Sequence, residues 1–115
     1  MSFDASARTN GSVAVLALNG ELNAAADDEL NGAYEQAIAA DPKTVLLNFD
    51  GVSYINSTGI ALIVGLLAEA RKSDRKIMAC GLSDHYKEIF EITRITDFVS
   101  IFDDEHAAVG SQKEE

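Results

Sequence analysis

Thr44-Val45-Leu46-Leu47-Asn48-Phe49 decides the architecture, together with the later segment Lys76-Ile77-Met78-Ala79-Cys80. Each is a short, nearly continuous apolar run of strand length, which marks a strand covered on both faces. Between them the pattern changes to that of a helix, from about Ser57 to Ser73. Strands that alternate with helices of this length need crossover connections, and crossovers build a mostly parallel sheet. Working outward, a further helix is expected from about Ala24 to Ala39, with Leu30, Ala33, Tyr34, Ala37 and Ile38 on one face and Asp41-Pro42 ending it. Ser83 should cap a helix that runs through about Glu91, Val99–Phe102 reads as a last strand, and an acidic helix should begin at Asp104. At the other end, Phe3, Ala5 and Ala7 alternate with polar residues, and Val13, Val15 and Ala17 follow Asn10-Gly11. That dipeptide predicts a hairpin turn with φ > 0 at both residues. Asn19–Asn23 reads as a loop with Asn23 as a helix N-cap, and Asp50-Gly51 as the end of the central strand. The expected fold is therefore α/β: a mixed, mostly parallel sheet of roughly four to five strands, an N-terminal antiparallel hairpin and about four helices. One domain over 1–109 is expected, with a short frayed tail over 110–115.

Charge and composition narrow the function. The chain has 115 residues, of which 47% are hydrophobic, enough to build one core. Nine basic against 19 acidic residues give a net charge of −10, which repels nucleic-acid backbones and anionic membrane surfaces. The longest apolar run, Ile60–Ala68, is far short of the ~20 residues a membrane span requires. The N-terminal residues lack the basic and apolar blocks of a secretory signal, so a cytoplasmic protein is expected. Cys80 is the sole cysteine and His85 and His106 are far apart, so neither a disulfide nor a metal site is expected. Cys80 ends an apolar strand and reads as packing. No Gly-x-Ser-x-Gly elbow and no Walker or dinucleotide loop occurs, so neither catalysis nor a cofactor is expected. The basic cluster Arg71–Lys76 suits a helix C-terminus, where cations meet the negative end of the dipole.

The segment Gly51–Ala68 carries no charge at all. In helical projection Ile60, Ile63, Val64 and Leu67 form one stripe, which should face the sheet. Leu62 and Leu66 then fall on the other side, where polar residues are expected, with Gly65 between the two faces. Two exposed leucines beside a glycine suggest a docking surface. Asn56-Ser57-Thr58-Gly59 opens this helix. Ser57 reads either as an N-cap or as a phosphoacceptor, since free N–H groups and the dipole favour a phosphate at a helix start. Spacing alone does not separate the two.

From Asn19 to Phe102 the chain resembles the bacterial anti-sigma factor antagonist family of STAS domains. The residues that carry the resemblance are Asn19-Gly20-Glu21-Leu22-Asn23, Leu47-Asn48-Phe49-Asp50-Gly51-Val52, Tyr54-Ile55-Asn56-Ser57-Thr58-Gly59-Ile60-Ala61 and Cys80-Gly81-Leu82. The resemblance implies that Ser57 is the phosphorylated serine, with Asn23, Asn56, Thr58 and Gly59 forming the loops around it. It implies as partners an anti-sigma factor that is also a serine kinase with a histidine-kinase-like ATPase fold, and a serine phosphatase that resets the cycle. The docking surface would comprise Tyr54, Ile55, Ile60, Ala61, Leu62, Gly65 and Leu66, on a monomer or weak dimer. The family usually carries Asp at the positions of Asn23 and Asn56; Asn keeps the size and the capping oxygen but loses the charge. Two alternatives follow: a STAS scaffold or adaptor that does not cycle through Ser57, and an accessory domain of a transport system.

Overall fold

The computed structural model describes residues 3–112. Five strands form one sheet in the order β1-β2-β3-β4-β5. They are β1 (Phe3–Asn10), β2 (Val13–Leu22), β3 (Thr44–Ile55), β4 (Lys76–Cys80) and β5 (Ser100–Phe102). β1 pairs antiparallel with β2, and the other three pairings are parallel. Four helices connect or close them: α1 (Asp27–Ile38), α2 (Ser57–Lys72), α3 (Asp84–Ile92) and α4 (Glu105–Gly110). Short 3₁₀ turns at Ala24–Ala26 and Ile95–Asp97 complete the chain. The architecture is the expected one, with five strands.

The apolar runs of β3 and β4 are explained by two separate cores. Val45, Leu47, Phe49, Ile77 and Ala79 point to the face covered by α1, α2 and α3, through Leu30, Tyr34, Ile63, Leu67 and Phe90. Leu46, Met78 and Cys80, one residue out of phase, point to the other face, where Ala108 and Val109 of α4 lie over them with Val13 and Val15. Period-2 alternation thus buries both sets. Phe49 and Phe90 meet edge to face with ring centres 5.9 Å apart, a favoured aromatic geometry. Cys80 is fully buried, and burial pushes its thiol up to about 12, so it remains a packed, neutral thiol as expected.

Several boundaries differ from the sequence reading. The hairpin loop is Gly11-Ser12, because Asn10 still pairs with Val13, and only Gly11 has a positive φ (+63°). A single left-handed residue at the first loop position is the requirement of a II′ turn, which glycine meets without strain. Asn19–Leu22 is the end of β2 and not a loop, and β3 continues through Asp50-Gly51 to Ile55. Two register shifts between β2 and β3, at Ala17/Asn19 and Gly20/Glu21, absorb the irregularity that the Gly and Asp residues signal. The helix expected from Ala24 begins as a 3₁₀ turn before α1 proper. At the far end α4 includes Gly110, and the Ser111 hydroxyl donates to the Ala108 carbonyl at 2.7 Å. Residues 113–115 of the expected tail lie outside the described residues.

Candidate functional site

The extended ends of β2 and β3 bring two capping loops together. Leu22 pairs with Ile55, so Asn23 and Asn56 leave the sheet side by side at the carboxyl ends of neighbouring parallel strands. The Asn56 N–H donates to the Leu22 carbonyl at 3.2 Å, which ties the two loops to each other. Asn23 Oδ1 accepts from the Ala25 N–H at 3.0 Å, and Asn56 Oδ1 accepts from the Gly59 N–H at 2.8 Å. Both asparagines are thus N-caps, each satisfying a donor that a helix start leaves free.

This geometry gives the cap to Asn56 and not to Ser57. Asn56 holds the cap, with extended backbone (φ −96°, ψ −177°), and Ser57 is the first residue inside α2. Ser57 and Thr58 are exposed. The hydroxyl of Ser57 is therefore free of capping duty and faces solvent, at the positive end of a 16-residue helix. Gly59 is buried against the end of β2, and a side chain there would sit on the Leu22 carbonyl oxygen. Only glycine allows α2 to start this close to the sheet. On the other side of the loop, the Tyr86 hydroxyl receives the Ile55 N–H at 2.9 Å. Sequence reading missed this contact, since no pattern in α3 points to β3.

The expected docking surface is only partly where the helical projection put it. Tyr54, Ala61 and Gly65 are exposed, and Ile60 and Leu62 are half-buried. Ile55 and Leu66 are 5% and 3% exposed and belong to the core. The inner face of α2 is Gly59, Ile63, Leu66, Leu67 and Ala70, whereas Val64, expected inside, is 47% exposed. The helix is turned so that Leu66 packs into the core and Val64 points out. A groove of about 440 Å³ lies between α1 and α2, lined by Tyr34, Ile38, Ala61, Leu62, Gly65 and Leu66 together with Asp27, Asn31, Glu35 and Glu69. In space, the uncharged face of α2 therefore borders an edge of carboxylates.

Among the described residues no cluster of His, Cys, Asp or Glu has the arrangement of a metal site. Among them, too, no helix is long and apolar enough to cross a membrane. The charged network on the far side of the sheet is structural: Glu105 accepts from Arg8 at 2.6 and 2.8 Å, from Asn10 at 2.8 Å and from Asn48 at 3.1 Å. These bonds, Arg8 foremost, hold the Glu105 carboxyl down to about 2.

Comparison with known proteins gives the family and the fold. The family model of the STAS domain matches residues 4–108. The chain is 30% identical, over 84 residues, to the anti-sigma-B factor antagonist of Staphylococcus aureus (strain NCTC 8325 / PS 47), covering 73% of this chain and 78% of that protein. Among solved structures, an anti-sigma factor antagonist from Mycobacterium paratuberculosis has the same fold, with a TM-score of 0.83 at 13% identity over 98% of this chain and 96% of that one. The Bacillus cell fate determinant SpoIIAA in its phosphorylated form also superimposes, with a TM-score of 0.70 at 20% identity over 96% of this chain and all of that one.

Proposed function

The chain belongs to the STAS domain family, and from that premise we propose that it is a cytoplasmic anti-sigma factor antagonist, a binding protein controlled by phosphorylation of Ser57. In its unphosphorylated form it binds an anti-sigma factor that is also a serine kinase of histidine-kinase-like ATPase fold, and the bound sigma factor or regulator is released. Phosphate on Ser57 ends that binding, and a serine phosphatase restores it. The contact surface comprises the loop 53–59 and the outward residues of α2: Tyr54, Ile60, Ala61, Leu62 and Gly65.

The observation that supports this reading most is the division of labour at the start of α2. Asn56 supplies the cap, which leaves an exposed serine hydroxyl at the helix N-terminus with no capping role. The dipole and the first-turn N–H groups stabilise a phosphate there. The modification adds a charge of about −1.5 to −2 to a stretch that otherwise has none. An apolar partner surface would then have to desolvate that charge, and a penalty of about 2.7 kcal/mol weakens binding roughly a hundredfold.

Intact mass after incubation with the host's anti-sigma factor kinase and ATP tests the assignment. The expected result is one phosphate, mapped to Ser57 and absent from Ser57→Ala. An unmodified wild-type chain that still binds the partner would favour the second reading, a STAS scaffold that does not cycle. That reading is supported by Asn23 and Asn56, which carry no charge where the family usually has Asp and whose side chains already serve as caps.

A further inference from the structure

Toward the C-terminal half of α2, away from Ser57, lies a second cleft of opposite character. Val64, Leu67, Ala68 and Arg71 of α2 form one wall, and Thr93, Arg94, Ile95 and Phe98 form the other. Its lining is almost wholly apolar, and its only charged residues are two arginines. Both features run against the rest of the molecule, in which acids outnumber bases 19 to 9. Four large apolar side chains are exposed among the described residues. Two of them, Val64 (47%) and Phe98 (51%), line this cleft, and a third, Ile92 (71%), adjoins it in sequence beside Thr93. The guanidinium carbon of Arg71 lies over the Phe98 ring, 4.9 Å from its centre, and Arg71 forms no ion pair among the described residues. Arg94 has a left-handed backbone (φ 67°) and is bonded to Asp97 at 3.0 Å.

We propose that this cleft is a second docking surface, for a protein segment that presents one bulky apolar side chain flanked by carboxylates. The size selects a side-chain anchor: about 250 Å³ lies below the ~300–1,000 Å³ typical of small-molecule pockets. Apolar walls desolvate the anchor, and a guanidinium over an aromatic ring keeps N–H groups free to donate to a carboxylate. Anchors of this kind dominate binding at protein interfaces. A fatty acid has the same combination of charge and hydrocarbon, but an open cleft of this volume covers little of an acyl chain. Ser57 is not among the residues that line the cleft, although Val64 stands one turn from Ile60 and Ala61 of the first surface.

The test uses fluorescence anisotropy with the full chain and a labelled peptide in which one phenylalanine is flanked by glutamates, alongside its lysine counterpart. Long-range attraction to a chain of charge −10 favours the lysine peptide, so a preference for the glutamate peptide reports the cleft alone. The expected result is that the glutamate peptide binds at least roughly tenfold tighter than the lysine peptide. Arg71→Glu and Val64→Glu should each weaken it by a similar factor, and Arg71→Ala by less, with wild-type circular dichroism in all three because these side chains are exposed. The proposal is overturned if the lysine peptide binds as well or better, or if the variants bind as wild type does. It is overturned equally if oleate binds in an Arg71-dependent manner while the glutamate peptide does not.

Discussion

Asn56 and Ser57 are neighbours with opposite duties. Asn56 Oδ1 accepts the Gly59 N–H and fixes the first turn of α2, so Asn56→Ala should lower unfolding free energy by about 1 kcal/mol, the usual worth of an N-cap. Ser57→Ala should change it by less than about 0.5 kcal/mol, since an exposed hydroxyl without a structural bond is lost at little cost. Urea denaturation of the two variants separates these roles, and equal losses would contradict the assignment of the cap to Asn56. Gly59→Ala should cost more than about 1 kcal/mol, because the added methyl meets the Leu22 carbonyl and the strand end must shift. The sequence alone left Ser57 open between cap and acceptor, since Ser and Asn are both good caps. Only the backbone geometry shows which of the two adjacent residues takes the role.

Two elements show how side-chain chemistry sets orientation. Over Gly51–Ala68 no charge marks the outside of α2, so apolar periodicity alone admits more than one rotation of the helix. The next turn carries the missing signal. Glu69 and Lys72 must face water, and stepping back by four residues from each places Gly65 and Ala61, and Ala68 and Val64, on the outside; all four are exposed. Leu66→Ala should therefore cost about 2–5 kcal/mol, as for a buried leucine, and Val64→Ala well under 1 kcal/mol. Thermal unfolding of the pair distinguishes the observed orientation from the reverse. Helix α4 is set by charge. Glu105 in its first turn bonds Arg8, Asn10 and Asn48, and its carboxyl is depressed from 4.5 to about 2. A depressed acid stabilises the fold above its unfolded value and loses that contribution as pH falls. Stability should thus decline between about pH 4.5 and about pH 2, and Glu105→Gln should have lower stability at neutral pH with a shallower acid slope over that window. An unchanged slope would contradict the role of this carboxylate.

At the scale of the whole molecule, one sheet separates two cores and carries a capping loop at the end of each long parallel strand. The strand and helix order was legible because β3 and β4 are apolar on both faces, which a sheet covered on one side does not tolerate. The ends of β2 and β3 were not legible. Gly20, Asp50 and Gly51 read as breakers, yet pairing between neighbouring strands carries the chain through them by register shifts. This extension is what sets Asn23 beside Asn56 and places Ser57 just beyond the carboxyl end of the central strand β3. The charge of −10 is distributed accordingly: Asp27, Glu35 and Glu69 line the groove beside α2, the uncharged face with Ser57 adjoins it, and the arginine-lined cleft lies beyond. In the proposed mechanism the Ser57 hydroxyl is the switch between binding and release. Affinity for the host's anti-sigma factor, measured by calorimetry for wild type, Ser57→Ala and Ser57→Asp, tests it most directly. Ser57→Ala should bind as the unphosphorylated wild type does and Ser57→Asp roughly a hundredfold more weakly; equal affinity for all three proteins would contradict the switch.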